Sequence, residues 1–512
     1  MTLGARIARA IFWAQAGRVA EAAIFFLFYL WLARALGPSG YGLFALGASF
    51  ASVCVFLALL GLGPETFGRF VPEISAGGRR GRARRLLGVL LVARTLAIVA
   101  VGGAVFAFRR AIAARFHFSL LLTSLGLVLL LFASRSIFDL LAHFSSGLLD
   151  LKRVAAAKLT AAAAAPCLFL PLSMWRVAGV RAAWLAITGG LLAGILILAP
   201  LSVSRDASAD GDDAALPLGR ILAFGMFAWA TNLFLYVLGD NTDVLLLGWL
   251  LPDRAAIGCY AAGAKIVFSV STLLLGWVTV SSVASLSEAW QRGGLSRLAE
   301  VAEAQWKLAV VSLLAPLLFL ICHAREIIAV FYSSGYAASV PVVQILGGLM
   351  ACAVVCGFSI QGGILYALDR ERIACAAVAL AAVCNLGGEV LLVRRMGMVG
   401  AAWATGLAFV LLAILCTAAG AFYAPLHLPF QFVARVAAAA SAGVASTFWL
   451  HPDSAGALAA AGLVCCAVFL AGLALLKPLT GADSAGLHRI NPSLGFLAER
   501  LFVHARSGAK GS

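Results

Sequence analysis

Apolar runs of about twenty residues recur along almost the whole chain, and they restrict it more than any other feature. The hydrocarbon core of a bilayer takes ~20 helical residues to cross. About fourteen such segments can be traced, at 11–36, 41–63, 86–108, 119–142, 154–175, 182–203, 221–250, 257–287, 306–323, 339–367, 373–393, 398–422, 433–450 and 457–477. With 63% hydrophobic and 12% charged residues over 512 positions, no single soluble core could bury this much apolar side chain. The expected fold is therefore an all-α polytopic membrane protein with about 14 transmembrane helices. Arg6 and Arg9 precede the first apolar segment as in a signal peptide, but that segment is too long and carries Arg18 and Glu21. It is expected to stay in place as the first helix.

The formal charge of +16 reports topology and an anionic ligand rather than nucleic acid, because no basic stripe with interleaved aromatic residues accompanies it. Lys and Arg concentrate on alternate connections, with Arg79, Arg80, Arg82, Arg84 and Arg85 the densest group. The positive-inside rule then places both termini in the cytoplasm. Arg109, Arg110 and Arg115 go against this trend.

The two halves resemble one another. LLDLKRVAAA from Leu148 parallels ALDRERIACA from Ala367, with Asp150 opposite Asp369, and VRAAW at 180–184 parallels VGAAW at 399–403 at the same offset. Gly42 in SGYGLFA corresponds to Gly258 in AIGCYAA at nearly that offset. An even number of helices per repeat gives both halves one orientation, a parallel pseudo-repeat with substrate expected between them.

Ionisable residues inside spanning helices cost about 2.5–3.5 kcal/mol each at the bilayer centre, so they mark cavities or partners. In the first half they are Arg18, Glu21, Arg94, Arg135 and Asp139; in the second, Asp240, Asp243, Lys265 and Glu389. Arg18 with Glu21, and Arg135 with Asp139, have the spacing of one helix face. For each pair, mutual neutralisation and ligand binding stand as alternatives. Arg94 and Lys265 have no partner nearby in sequence, which makes them the sharper substrate candidates. Asn232, Tyr236, Asp240 and Asp243 form a polar stripe along the seventh helix. The expected substrate-binding residues are Arg18, Arg94, Arg135, Lys265, Asn232 and Tyr236. The expected ion-coupling residues are Glu21, Asp139, Asp240, Asp243 and Glu389. This division places a cationic, phosphate-suited site mainly on the first half.

Catalytic and metal signatures are missing. Gly37-Pro38-Ser39-Gly40-Tyr41 lacks the closing glycine of a nucleophile elbow and reads as a turn between helices. Asp210-Gly211-Asp212 lies in a polar linker, and the seven histidines lack ligand spacing. The eleven cysteines form no CxxC pair and are expected as buried thiols. No cofactor or metal is expected.

LARALGPSGYGLFAL (32–46), LLGLGPETFGRFVPE (59–73), NTDVLLLGWLLPDRAAIGCYAAGAKI (241–266), FYSSGYAASVPVVQIL (331–346), LYALDRERI (365–373) and NLGGEVLLVRRMGMVGAAWATGL (385–407) occur in an order that resembles the polysaccharide/oligosaccharide flippase branch of the multidrug/oligosaccharidyl-lipid/polysaccharide (MOP) exporter superfamily. The resemblance implies two six-helix bundles, 1–203 and 221–422, joined by a cytoplasmic linker, 204–220. Two further helices, 423–477, and a cytoplasmic tail, 478–512, complete it. In that tail PSLGFLAERLFVHAR reads either as a short amphipathic surface helix or as a loose tail.

The activity implied is translocation of an undecaprenyl-pyrophosphate-linked oligosaccharide across the bacterial inner membrane by alternating access. Membrane lipids, a coupling proton or sodium ion, and polymerase or glycosyltransferase partners go with it. By position, Arg18, Arg94 and Lys265 correspond to the cationic cavity residues such proteins use, and Asp243 to a recurrent acidic position of helix seven. The alternatives are a lipid II flippase or a cation-coupled multidrug antiporter and, from a different class, a membrane glycosyltransferase, polymerase or ligase. The short outer loops argue against the enzymes.

Overall fold

The computed structural model of the chain describes residues 3–75, 80–116, 119–174, 179–199, 216–358, 361–427, 429–450 and 452–480. The PSLGFLAERLFVHAR segment of the tail and most of the 204–220 linker lie outside these residues. Among the described residues all regular elements longer than a single bridge are helices, and thirteen stretches are long and apolar enough to cross a membrane. One of the thirteen, Gly17–Ala58, has 42 residues. At 1.5 Å per residue it is about twice the length of one crossing. It changes direction at Gly37 (φ 66°, ψ 173°), followed by Pro38, so the two crossings expected here run together through a glycine hinge. The GPSGY stretch is this turn.

The first compact unit is Met1–Ala261. It holds α1 (Leu3–Ala58), α2 (Pro64–Ser75), α3 (Arg80–Ala107), α4 (Arg109–Arg115), α5 (Ser119–Gly147), α6 (Leu151–Met174), α7 (Gly179–Leu198), α8 (Leu218–Val237), α9 (Asp240–Leu250) and the opening turns of α10 (Arg254–Cys322). The seventh expected helix, 221–250, is thus two helices, α8 and α9, broken at Gly239. Small residues bring backbones together, as membrane helices need in place of a hydrophobic drive between them. A Cβ at Gly190 would lie 2.4 Å from the Ala161 carbonyl oxygen, which pins α7 to α6.

The second unit, Ala262–Ser512, contains the rest of α10, bent at Gly294, then α11 (Ala324–Phe331), α12 (Val340–Val355), α13 (Gln361–Ala367), α14 (Glu371–Met396) and α15 (Met398–Tyr423). The last two spans, α16 (Phe430–Ala445) and α17 (Ala455–Leu476), pack on each other, with Gly443 against the Cys465 carbonyl. Trp306 of α10 donates through Nε1 to the Val354 and Val355 carbonyls at 3.2 and 3.1 Å, and its ring meets Phe432 of α16.

Two details bear on the repeat. A Cβ on Gly42 would sit 2.1 Å from the Arg254 carbonyl oxygen, and one on Gly258 1.9 Å from that of Pro38. Pro38 and Arg254 are each four residues before their glycine, so the contact is reciprocal, as a two-fold relation requires. The second detail is a turn. Leu149 (φ 60°) and Asp369 (φ 55°) are both left-handed, with their N–H groups donating three residues back, to Ser146 and Tyr366. The next residues, Asp150 and Arg370, donate five back, to Ser145 and Leu365. The turns are equivalent one residue further along than the sequence match of Asp150 with Asp369 puts them. Trp184 and Trp403 have diverged: the first is buried with its indole N–H on the Phe44 carbonyl at 3.3 Å, whereas the second is exposed.

Candidate substrate-binding cluster of the first unit

Helices α1 and α6 cross where Gly17 meets Ala155, so closely that a Cβ on Gly17 would lie 2.7 Å from the alanine side chain. Glu21 is one turn on, only about 40° around the helix from Gly17, whereas Arg18 is rotated by about 100°. Glu21 therefore faces α6 and binds Lys158, Nζ to Oε2 at 3.3 Å. Of the two alternatives for Arg18 and Glu21, mutual neutralisation is not the pairing found. Arg18 is exposed and makes no hydrogen bond or ion pair among the described residues. Lys158 escaped sequence reasoning because it is only four residues into its expected span, where a lysine reads as one reaching back to the interface.

Arg135 and Asp139 pair as their spacing predicts, Nε to Oδ2 at 3.2 Å. Arg135 is the midpoint of the apolar stretch Thr123–Gly147. Glu21 and Asp139 both act on it at Coulombic range, so carboxylates flank it, yet 55% of its side chain is accessible. A guanidinium facing hydrocarbon at that depth is strongly disfavoured, so an accessible Arg135 calls for a polar recess in place of lipid.

Arg94 is placed differently. It is 1% exposed, and Nη2 donates to the Leu62 carbonyl at 2.9 Å, while Nε and Nη1 are buried with no hydrogen-bond partner among the described residues. The acceptor belongs to the tight turn between α1 and α2, where Leu60 (φ 45°) and Gly61 (φ 77°) are left-handed. Thr66 Oγ1 closes the same turn on the Gly61 carbonyl at 2.7 Å. A Cβ on Gly61 would be 2.4 Å from the Gly225 backbone, so this turn is also where α8 docks. Asp139 is the charged group that acts on Arg94.

The α8 stripe faces this region. Asn232 donates through Nδ2 to Glu65 Oε1 at 3.2 Å. Phe56 stacks on both Tyr236, with centroids 4.7 Å apart, and Trp229, whose indole N–H reaches the Phe56 carbonyl at 3.0 Å. Asp240 and Arg135 both act on the Tyr236 hydroxyl. Asp243 is fully buried and accepts a hydrogen bond from Tyr260 at the start of α10.

His143, one turn beyond Asp139, stacks on Phe67 and lies within Coulombic range of Asp139, Lys158, Arg94 and Glu65. These residues thus form one connected cluster inside the first unit. Arg94, Arg135 and Lys158 are set against Glu21, Glu65 and Asp139, with Arg18 and Asp240 beside them. The expectation of a cationic site mainly on the first half counted Asp240 with the second half. Lys158 and Glu65 add one charge of each sign, and it is Asp240, which belongs to the first unit, that makes the four cations and four carboxylates named here equal in number.

The remaining predicted residues belong to the second unit. Lys265 is half-buried on α10. Glu389 is fully buried on α14, where its Oε1 accepts from Asn385 Nδ2 at 3.0 Å and, more weakly, from Thr405 Oγ1 of α15 at 3.4 Å. Asn385 precedes Glu389 by one turn, a signal present in the sequence; Thr405 comes from the next helix and needed the fold. Among the described residues no three His, Cys, Asp or Glu side chains are grouped to hold a metal.

No family model matches the chain, and no curated protein sequence does. Solved structures do. The lipid II flippase MurJ in an inward closed conformation matches with TM-score 0.66 over 94% of this chain and 98% of its own, at 14% identity. The chain has the fold of the MOP-superfamily transporters. An inward-facing multidrug-resistance MATE transporter of that superfamily matches with TM-score 0.64 at 16% identity, over 78% of this chain and 94% of its own. A MOP transporter from Pyrococcus furiosus, described as having a binding pocket of reversed polarity, matches with TM-score 0.54 at 15% identity, over 81% and 95%. The MurJ match covers a share of this chain too large to leave out both α16 and α17.

Proposed function

We propose that this protein is a flippase that carries the polar headgroup of a lipid-linked oligosaccharide across the bacterial inner membrane by alternating access, with both termini in the cytoplasm. One observation carries the reading: an accessible guanidinium, Arg135 paired with Asp139, at the midpoint of a spanning helix in a chain with a transporter fold. A pyrophosphate-sugar headgroup cannot cross hydrocarbon unaided, since its unsatisfied polar and charged groups would cost several kcal/mol or more. A polar path supplies partners while the polyprenyl tail stays in lipid.

In this mechanism Arg135 and Arg18 are the accessible cations of the first unit that meet the pyrophosphate, and Lys265 serves the second. Asn232 and Tyr236 offer an amide and a phenol to sugar hydroxyls. Arg94 acts by holding the turn on which α8 rests. Glu389, with Asn385 and Thr405, forms the oxygen-rich element suited to a coupling proton or sodium ion, with Asp240 and Asp243 as further acidic groups. Polysaccharide polymerases or glycosyltransferases are the fitting partners. The lipid II reading shares the pyrophosphate chemistry.

Purified protein in proteoliposomes tests the proposal. Fluorescent undecaprenyl-pyrophosphate oligosaccharide should become accessible on the opposite leaflet, and Arg135→Gln and Lys265→Gln should slow this without loss of folded protein. Transfer of lipid II in preference to other headgroups would establish the second reading. Transfer of an organic cation and of neither lipid would overturn both.

A further inference from the structure

Arg135, Asp139 and His143 follow each other at intervals of four along α5, so the Asp139 carboxylate has a cation one turn before it and an imidazole one turn after. It bonds Arg135 here, through Oδ2 to Nε. His143 makes no hydrogen bond among the described residues; its ring is fixed by the stack on Phe67, with centroids 6.4 Å apart. The charges around it come from four elements: Asp139 on its own helix, Glu65 on α2, Arg94 on α3 and Lys158 on α6. Two are negative and two positive, so a proton on His143 tips a balanced site by one charge. Imidazole is also the side chain whose ordinary protonation falls in the physiological range.

We propose that His143 is a proton-binding site that controls anion capture in the first unit. When a proton from water binds its free ring nitrogen, the imidazolium N–H draws the Asp139 carboxylate one turn along α5. Arg135 then loses its internal partner and presents an uncompensated guanidinium to the recess, where a phosphate or pyrophosphate group takes the vacated position. Loss of the proton returns Asp139 to Arg135 and expels the anion. The headgroup and the proton thus bind together and leave together. His143 is a controlling residue and does not itself touch the anion. This inference rests on the proposed function, because it assigns the anionic part of the headgroup to Arg135.

The test uses the full chain in nanodiscs of uncharged phosphatidylcholine, with inorganic pyrophosphate as the probe and calorimetry from about pH 8 to about pH 5.5. The probe's own protonation affects every variant alike, so the comparison is between profiles. Relative to His143→Gln, the wild type should gain about five- to tenfold in affinity on acidification, the amount set by freeing one accessible ion pair. Asp139→Asn should bind tightly at both ends of the range, since Arg135 is then released at any pH. Superimposable profiles for wild type and His143→Gln, with binding intact, overturn the inference and leave the proposed function standing. So does an Asp139→Asn variant that keeps the wild-type pH dependence. Absence of pyrophosphate binding by the wild type at every pH removes the anion site, and with it both the inference and the headgroup contact.

Discussion

Gly258→Ala should loosen the protein through a single contact. The new methyl carbon would lie 1.9 Å from the Pro38 carbonyl oxygen, with the Gly42 nitrogen and Pro38 carbonyl carbon each at 2.9 Å. Carbon and carbonyl oxygen rest at about 3.3 Å, so the crossing has to open by about 1.4 Å. All three atoms are backbone, and no rotamer change relieves them. Overpacking of this kind costs typically 1–3 kcal/mol, and we place this substitution at the upper end, about 3 kcal/mol. Gly42→Ala needs about 1.2 Å of opening against the Arg254 oxygen at 2.1 Å and should cost about 2 kcal/mol. Once the helices have separated for one methyl, the second finds room. The double variant should therefore be less damaged than the sum by about 1 kcal/mol or more. Gly103→Ala, where a Cβ meets nothing within 4 Å, is the control and should be neutral. Thermal midpoints of the four proteins and the wild type in one detergent read the series. Equal midpoints for Gly258→Ala and Gly103→Ala, or full additivity in the double variant, would refute a reciprocal backbone contact at this crossing.

Four further outcomes follow from named contacts. Lys158→Met leaves Glu21 without its partner inside the membrane and should cost about 1–2 kcal/mol, while Arg18→Met leaves the thermal midpoint unchanged; the exchange Glu21→Lys with Lys158→Glu should restore the loss. Arg94→Met removes a buried guanidinium with two unpaired nitrogens, so stability should hold within about 1 kcal/mol while lipid transfer in proteoliposomes falls; equal transfer would show that the turn at Gly61 does not matter. His323, at the junction of α10 and α11, donates from Nε2 to Thr447 Oγ1 at 2.7 Å, because the Thr447 hydroxyl proton is already given to the Val444 carbonyl. Burial holds its pKa below the ordinary histidine value, with Glu326 opposing. The unfolded state then binds the proton more readily, so stability is full above about pH 6.5 and declines as pH falls through that value. Hydrogen-exchange protection at the end of α16, taken relative to the intrinsic exchange rate at each pH, should fall on acidification, and pH-independent protection would contradict this. Glu389→Gln should abolish the dependence of transfer on a proton or sodium gradient while keeping the protein folded, as judged by gel filtration and thermal midpoint.

Much of this protein was legible in its sequence because the bilayer simplifies the problem. Apolar length sets the number of crossings, and a helix is the element that satisfies its own backbone in hydrocarbon. The Gly37 hinge, the Arg135–Asp139 pair and the Gly42–Gly258 correspondence all depend on spacing along one chain, and the structure agrees on each. The site was less legible. Arg18 and Glu21 have the spacing of a pair, yet the rotation of α1 against α6 gives Glu21 to Lys158 and leaves Arg18 outward. Arg94 stands in the sequence as a lone charge in a greasy helix. Only the fold brings it to a carbonyl in the turn between α1 and α2. The balance of charge in the first unit likewise depends on Asp240, which sequence position assigns to the second half and the fold to the first unit.

What the sequence determined by itself is the membrane class, the crossings and the internal repeat, since these follow from hydrophobic length and local periodicity. What the tertiary structure decided is which charge answers which. Helix rotation and crossing depth are set by close packing at residues such as Gly17 and Ala155, and in a low-dielectric interior a charge's role is fixed by the neighbours within a few ångströms of it.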